Sequence, residues 1–230
     1  MKVALVTGSA GGLGKRIALD LAGLGYTLIM NYRNKKPDLK KIQQLSPDSI
    51  EVRADVSKKS DVKKLFRKIE QQFKHLDVVI NAVGDFHFKE MHKTTSDDWK
   101  KMMESNFFSM LNCTEAAIPL MKREHFGRII NFGSAGCDRI ILRELTTPYY
   151  AAKTSIFMAT KAYAFTAPKG VTINMVSPGI LETSIVKMQG VPIVHLNEIV
   201  NAIIYLLSPA ADSINGANIE VTKGWNPGWK

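Results

Sequence analysis

The chain has 230 residues, 45% of them apolar and 23% charged, and a formal net charge of +10; this length and balance exclude a disordered polypeptide and fit one sizeable globular core. Two cysteines, Cys113 and Cys137, are too few for a disulfide framework and lack metal-ligand spacing, so free thiols and no metal site are expected. No apolar run reaches the ~18 residues of a membrane span, and Met1 and Lys2 lead straight into an apolar run without signal-peptide architecture, so a cytoplasmic protein with no membrane partner is expected.

Val3 to Val6 reads as a buried strand, and Ile17, Ala18, Leu21, Ala22 and Leu24 read as the apolar stripe of a helix. Between them lies Thr7 to Gly14, TGSAGGLG, a tight strand-to-helix turn. Gly8, Gly12 and Gly14, interleaved with Ser9 and Leu13, let the backbone turn sharply and approach a pyrophosphate, while free N–H groups at the helix start attract negative charge. A Gly-rich loop without a ligand is the alternative; the strand–turn–helix context favours a nucleotide.

A second strand, Tyr26 to Asn31, ends at Tyr32, Arg33 and Asn34, where an acidic residue would hold the free hydroxyls of an adenosine ribose. None is present, and Arg33 can pair with a 2′-phosphate, so NADP is expected over NAD. Pro37 is expected to start a second helix, and Ser49 to Arg53 a third strand delivering Asp55 and Val56. Ser57 is expected to cap a basic helix running to Phe73, with Val62, Leu65, Phe66 and Ile69 as its stripe.

The fourth strand, Leu76 to Asn81, opens into Ala82, Val83 and Gly84. Thr95 or Ser96 is expected to cap a helix that leads through Asn106 into a longer one ending near Arg123. Gly127 to Gly133 is the fifth strand, followed by Ser134. Thr147 as cap and Pro148 at the first helical position announce the helix that holds Tyr149. Val171 to Val176, a helix near Asn197 to Leu207 and a strand at Ala217 to Val221 complete an α/β alternation, which predicts a parallel sheet of about seven strands covered by helices on both faces, in a single domain spanning 1–230.

Lysine clusters at Lys35, Lys36, Lys40 and Lys41, and from Lys58 to Lys68, are the spacing of solvated helix faces. With no recognition motif or aromatic stacking platform beside them, no nucleic-acid partner is expected.

Tyr149 and Lys153 stand four apart at the start of a helix, on one face. An ammonium beside a tyrosine, together with an oxidised nicotinamide, favours the phenolate, and such a Tyr exchanges a proton with a carbonyl or alcohol oxygen. The glycine loop, Asn106, Ser134, Tyr149 and Lys153, in this order on this alternation, resemble the short-chain dehydrogenase/reductase family over essentially the whole chain. The resemblance implies a Rossmann-type doubly wound fold, Tyr149 as general acid/base, Ser134 polarising the substrate carbonyl, Lys153 tuning Tyr149 and binding the nicotinamide ribose, and Asn106 supporting a water in the proton relay. It further implies that Asp55 and Val56 hold adenine, that Asn81, Ala82, Val83 and Gly84 contact the cofactor mostly through backbone, and that Pro178, Gly179, Ile180 and Thr183 lie beside the nicotinamide carboxamide.

The pattern is closest to 3-oxoacyl-acyl-carrier-protein reductases, which implies NADPH-dependent reduction of a ketone by a homotetramer or homodimer. Three departures bear on the substrate. The family's Asn-Asn-Ala-Gly reads Asn81, Ala82, Val83, Gly84; fourteen residues separate Ser134 from Tyr149, so the loop from Cys137 to Thr146 must bulge; and the lid region near 184–197 is short. A short lid favours a bulky ketone, carried on a carrier protein or peptide. A small-molecule ketone enclosed by Ile185, Val186, Met188, Val191, Pro192 and Ile193 is the alternative, and a non-catalytic dinucleotide-binding regulator is the alternative of another class.

Overall fold

The computed structural model describes residues 1–141 and 143–227. Seven parallel strands form one sheet in the order β3-β2-β1-β4-β5-β6-β9: β1 is Lys2–Val6, β2 Tyr26–Tyr32, β3 Ile50–Arg53, β4 Val78–Asn81, β5 Gly127–Phe132, β6 Val171–Pro178 and β9 Asn218–Val221. A separate two-stranded ladder pairs β7, Ile180–Leu181, with β8, Ile193–Val194. The sheet is the expected Rossmann-type arrangement, and its strand order reverses between β1 and β4, which opens a crevice at the strands' carboxyl ends.

The strands are buried on both faces, which is why they read as continuous apolar runs. Along β1, Ala4 and Val6 face one core and Val3 and Leu5 the other. The first core takes Ile17, Ala18 and Leu21 of α1 (Gly12–Gly23) and Ile199, Ile203 and Leu206 of α7 (Leu196–Leu207). The second takes Val62, Leu65, Phe66 and Ile69 of α3 (Lys59–Phe73) and Cys113, Ala117 and Met121 of α5 (Ser109–Glu124). The helix α6, Thr147–Phe165, also lies on this second side, through Ala164.

Three helix starts differ from expectation, two of them because the expected cap hydroxyl is used elsewhere. Ser57 Oγ donates to Asp55 at 2.7 Å, and α3 begins after Lys58 with no side-chain cap. Thr147 is the first helical residue of α6, and its hydroxyl donates back to the Arg143 carbonyl at 2.5 Å. Pro37 lies outside α2 (Leu39–Gln43), whose first turn is capped by Asp38 accepting from Lys41 N–H. Thr95 does cap α4 (Ser96–Met102), in a reciprocal box with Asp98.

Between α4 and α5 the helix widens into one π turn, Met103–Phe108. Such turns insert a residue without ending the helix and redirect side chains and carbonyls. Asn106 sits in this one, fully buried.

Candidate active site

The carboxyl ends of the strands bring the expected residues to one edge. Thr7 follows β1; its hydroxyl accepts from Ala82 N–H at 3.0 Å and from Val83 N–H at 3.3 Å, tying the glycine loop to the exit of β4. The contact expected from Ala82 and Val83 is therefore restricted to their carbonyls and side chains, since Thr7 already takes the N–H groups. Gly8 and Gly12 have positive φ, +66° and +50°. A Cβ on Gly14 would stand 2.5 Å from the Gly8 carbonyl oxygen, so the start of α1 packs directly on the loop. Gly11 precedes α1 without any side-chain cap, which leaves the helix's first N–H groups for a ligand. A close, bare backbone with unclaimed donors fits a pyrophosphate, and hence the expected dinucleotide.

At the end of β2, Ser9 N–H and Oγ–H both donate to the Asn31 carbonyl at 3.1 Å, so the loop also rests on β2. Arg33, half exposed, reaches Asp55 at 4.0 Å, and Arg53 donates to the Arg33 carbonyl at 3.0 Å. Two guanidinium groups thus flank the place where an acidic residue is absent; Arg53 was not anticipated. Asp55 is further engaged by Ser57 N–H and hydroxyl, and Asn112 donates to the carbonyls of Val56 and Ser57, which fixes the turn after β3.

The reacting end is more buried. Asn81 Nδ2 donates to Asn131 Oδ1 at 2.8 Å inside the sheet. Asn106 Nδ2 donates to the Asp85 carbonyl at 3.0 Å, while its Oδ1 is buried with no hydrogen-bond partner among the described residues. That oxygen faces Gly84: a Cβ there would collide with it, and would stand 3.7 Å from Lys153 Nζ. Gly84 is thus the gap that lets Asn106 and Lys153 approach. Lys153, 5% exposed, donates to the Phe132 carbonyl at 2.9 Å and lies 5.5 Å from the centroid of the Tyr149 ring.

The charges are set chiefly by burial. Lys153 is pushed down to about 8 by desolvation of its ammonium. Among the protein groups the Tyr149 phenol runs opposite to the lowering expected from Lys153: burial raises it far above its ordinary value, Tyr150 adds to that, and Ser134 and Arg143 oppose it. Tyr149 therefore stands as a neutral proton donor at neutral pH.

Two neighbours escaped the sequence reading. Tyr150 Oη donates to the Ala135 carbonyl in a short bond and accepts from Ser134 Oγ at 3.4 Å, so Ser134 is positioned by Tyr150 as well as lying by Tyr149. Arg143 stacks on the Tyr150 ring, its guanidinium carbon 4.1 Å from the centroid. A doubled tyrosine and a lone arginine in a loop carry no motif, and only the course of the loop places them here. That loop does bulge: Gly136, at φ +78°, donates to Glu220 Oε1 at 2.6 Å, and Arg139 makes two bonds to the Glu220 carboxylate at 2.8 and 2.9 Å. Leu142, within it, lies outside the described residues.

Phe86 meets Tyr149 edge-on at 5.0 Å and stacks with Phe88 at 6.3 Å, and both phenylalanines are about half exposed. Pro178 ends β6, Gly179 N–H donates to the Val221 carbonyl, and Ile180 starts β7. Beyond them Thr183 is exposed, and 183–192 forms no helix; Ile185 is 90% exposed and packs into no apolar lid. The base of this segment is closed by Glu182, which accepts from His195 Nδ1 and Leu196 N–H.

A family model described as short chain dehydrogenase matches residues 2–190. The putative oxidoreductase YtkK of Bacillus subtilis is 30% identical over 247 aligned positions, covering 98% of this chain and 97% of its own. The 3-oxoacyl-acyl-carrier-protein reductase FabG of Staphylococcus aureus is 29% identical, with 97% of each chain covered. An uncharacterized oxidoreductase of the same species is 32% identical over 80% of each chain.

Proposed function

The chain belongs to the short-chain dehydrogenase family, and we propose that it is a single-domain, NADPH-dependent reductase that converts a ketone to a secondary alcohol. The nicotinamide dinucleotide, when bound, supplies the hydride. What carries the reading is the convergence of a buried ammonium and an unpartnered amide oxygen on the gap left by Gly84, with the partly buried Tyr149 ring beside that ammonium.

Tyr149 delivers the proton to the carbonyl oxygen. Its raised pKa keeps the proton in place until negative charge develops on that oxygen, when transfer becomes favourable. Ser134, whose single hydroxyl proton goes to Tyr150 in a long 3.4 Å bond, turns that proton to the same oxygen when the substrate binds. Lys153 keeps one N–H on the Phe132 carbonyl and offers the others to the nicotinamide ribose and to Tyr149. Asn106, through its unpartnered Oδ1, holds a water that returns a proton toward Lys153. Gly8 to Gly14 hold the pyrophosphate, Asp55 and Val56 the adenine, Asn81 to Gly84 and Pro178 to Thr183 the nicotinamide half, and Arg33 with Arg53 a 2′-phosphate.

The segment 183–192, exposed and without a helix, supports a bulky ketone borne on a carrier protein or peptide, as does the similarity to FabG. Phe108, Met158 and Phe165, all exposed and apolar, support self-association through α5 and α6. The test is NADPH oxidation across a panel of free and carrier-linked ketones, with Tyr149→Phe as control. Tyr149→Phe should lose at least ~100-fold in kcat while its NADPH affinity changes little, and a near wild-type rate in that variant would refute the role given to Tyr149.

A further inference from the structure

Arg143 stands beside Tyr150 and close to Tyr149, and the reduction gives it no role. It lies four residues before Thr147, and its carbonyl anchors the turn into α6 by accepting from Thr146 N–H at 3.1 Å and from the Thr147 hydroxyl. Its side chain folds over the Tyr150 ring, and Tyr150 in turn meets Tyr149 at 6.0 Å between ring centroids. Nε and Nη2 are both buried without a hydrogen-bond partner among the described residues.

This is a costly arrangement. A guanidinium taken out of water normally gains a carboxylate or several carbonyls in exchange. Here no acidic side chain among the described residues pairs with it: Glu144, adjacent in sequence, is exposed and makes no ion pair, and Glu220, tied to Arg139 and Gly136, is committed. Among the described residues its side chain meets an aromatic face, and burial lowers its pKa, the direction expected of a cation missing its counter-ion. Nε and Nη2 are covered by protein, so an acceptor meets the guanidinium over Tyr150 through Nη1.

We propose that Arg143 binds a carboxylate of the substrate, so that the ketone reduced here carries a negatively charged group close to its carbonyl. The inference rests on the ketone-reductase reading and departs from its carrier-linked form, whose thioester puts no carboxylate beside the ketone: Tyr149 and Ser134 take the carbonyl oxygen, Arg143 takes the carboxylate, and Phe86 and Phe88 line the approach. Arg143 is a specificity residue, since it contacts the substrate away from the bond that changes.

The experiment compares a 3-oxo carboxylic acid with its methyl ester, equal in carbonyl chemistry and different in charge, with wild type, Arg143→Met and Arg143→Lys. Wild type should favour the acid in kcat/KM, and Arg143→Met should lose about 10- to 100-fold on the acid, the range of a desolvated charge-assisted hydrogen bond. Its loss on the ester, which comes only through Tyr150 and Tyr149, should be at least about tenfold smaller than its loss on the acid, since a methyl ester makes no such ion pair. Arg143→Lys should recover part of the loss on the acid. Equal losses on acid and ester would mean that Arg143 only props Tyr150, and would overturn the proposal, as would a wild-type preference for the ester. If neither ketone is reduced, the reductase reading is what fails. Calorimetric titration of the acid into wild type and Arg143→Met then decides the arginine separately: binding lost in the variant upholds it, equal binding overturns it.

Discussion

Replacing Lys153 with methionine should change how stability depends on pH in a direction set by burial. The lysine's ordinary value of 10.5 falls to about 8 in the fold because its ammonium is desolvated, an effect that Cys137 partly offsets. That depression corresponds to about 3 kcal/mol at ~1.4 kcal/mol per pH unit. Below about pH 8 the lysine is protonated in both folded and unfolded chains, and the full cost is carried by the fold. From about pH 8 to 10.5 the folded lysine is neutral while the unfolded one keeps its proton, so the unfolded state binds more protons and stability rises with pH. The methionine that replaces it does not titrate. Urea unfolding of both proteins without cofactor, at about pH 6.5 and about pH 9.5, should show the wild type gaining ~2 kcal/mol relative to the variant. Absolute stability at one pH is a poor readout, because methionine also leaves the Phe132 carbonyl without its donor at a cost of about 1–3 kcal/mol. The difference between the two pH values removes that constant, along with every other group that titrates alike in both proteins. A difference that stays flat within ~0.5 kcal/mol would refute the claim that this ammonium is desolvated.

Gly14→Ala places a methyl group 2.5 Å from the Gly8 carbonyl oxygen, a backbone atom in the loop assigned to the pyrophosphate. Overpacking there should cost about 1–3 kcal/mol of stability and weaken NADPH binding at least ~10-fold by fluorescence titration; unchanged affinity would detach the loop from the cofactor. Arg33→Ala should reduce the preference for NADPH over NADH in kcat/KM by about tenfold or more, with the NADH rate little altered. Equal use of both cofactors by the unaltered protein would remove Arg33 from that role. Met158→Glu combined with Phe165→Glu should shift the sedimentation coefficient toward that of a monomer, and an unaltered protein that sediments as a monomer would end the self-association proposal.

The fold was legible because its strands are covered on both faces and its helices on one. Val3 to Val6 and Val78 to Ile80 have no polar break, and Val62, Leu65, Phe66 and Ile69 recur at helical spacing, so local pattern and final burial agree. Boundaries were less legible where a hydroxyl had a choice. Ser57 and Thr147 have the chemistry of helix caps, yet each finds a partner in the preceding turn, Asp55 and the Arg143 carbonyl, once the chain is folded. The π turn at Met103–Phe108 leaves no mark in the pattern, because one inserted residue shifts the stripe by too little to break a 3.6-residue period. Asn106, Ser134, Tyr149 and Lys153 could be picked out by type and order. Arg143 and Tyr150 could not, because their positions depend on a bulge whose shape is set by Glu220, far downstream in the last strand of the sheet.

Unmet polar atoms mark the same edge by a route that owes nothing to motif. Leaving aside Glu90 Oε2, which is ion-paired with Lys93, six buried side-chain nitrogen or oxygen atoms lack a hydrogen-bond partner among the described residues, and four of them belong to Asn81, Asn106 and Arg143. Each such atom is a penalty that a protein selected for stability alone would have removed, since most buried polar groups in folded chains are satisfied. Lys153 adds a desolvated ammonium to the same region. Asn81 and Asn106 carry theirs where the parallel strands end and the order of the sheet reverses, whereas Arg128 and Thr172 carry theirs at the opposite, amino ends of β5 and β6. An amide oxygen and an ammonium on either side of Gly84 suit a water or ribose hydroxyl, whereas the guanidinium on Tyr150 suits an anion. The two needs differ in chemistry. One ligand meets both only if it has hydroxyls at one end and a negative charge at the other, and for a dinucleotide lying along the glycine loop the phosphates are already taken by α1. On the proposed binding, the counter-charge that Arg143 lacks among the described residues arrives with the second ligand, the substrate, and for that reason the acid-against-ester comparison discriminates more sharply than any survey of chain length.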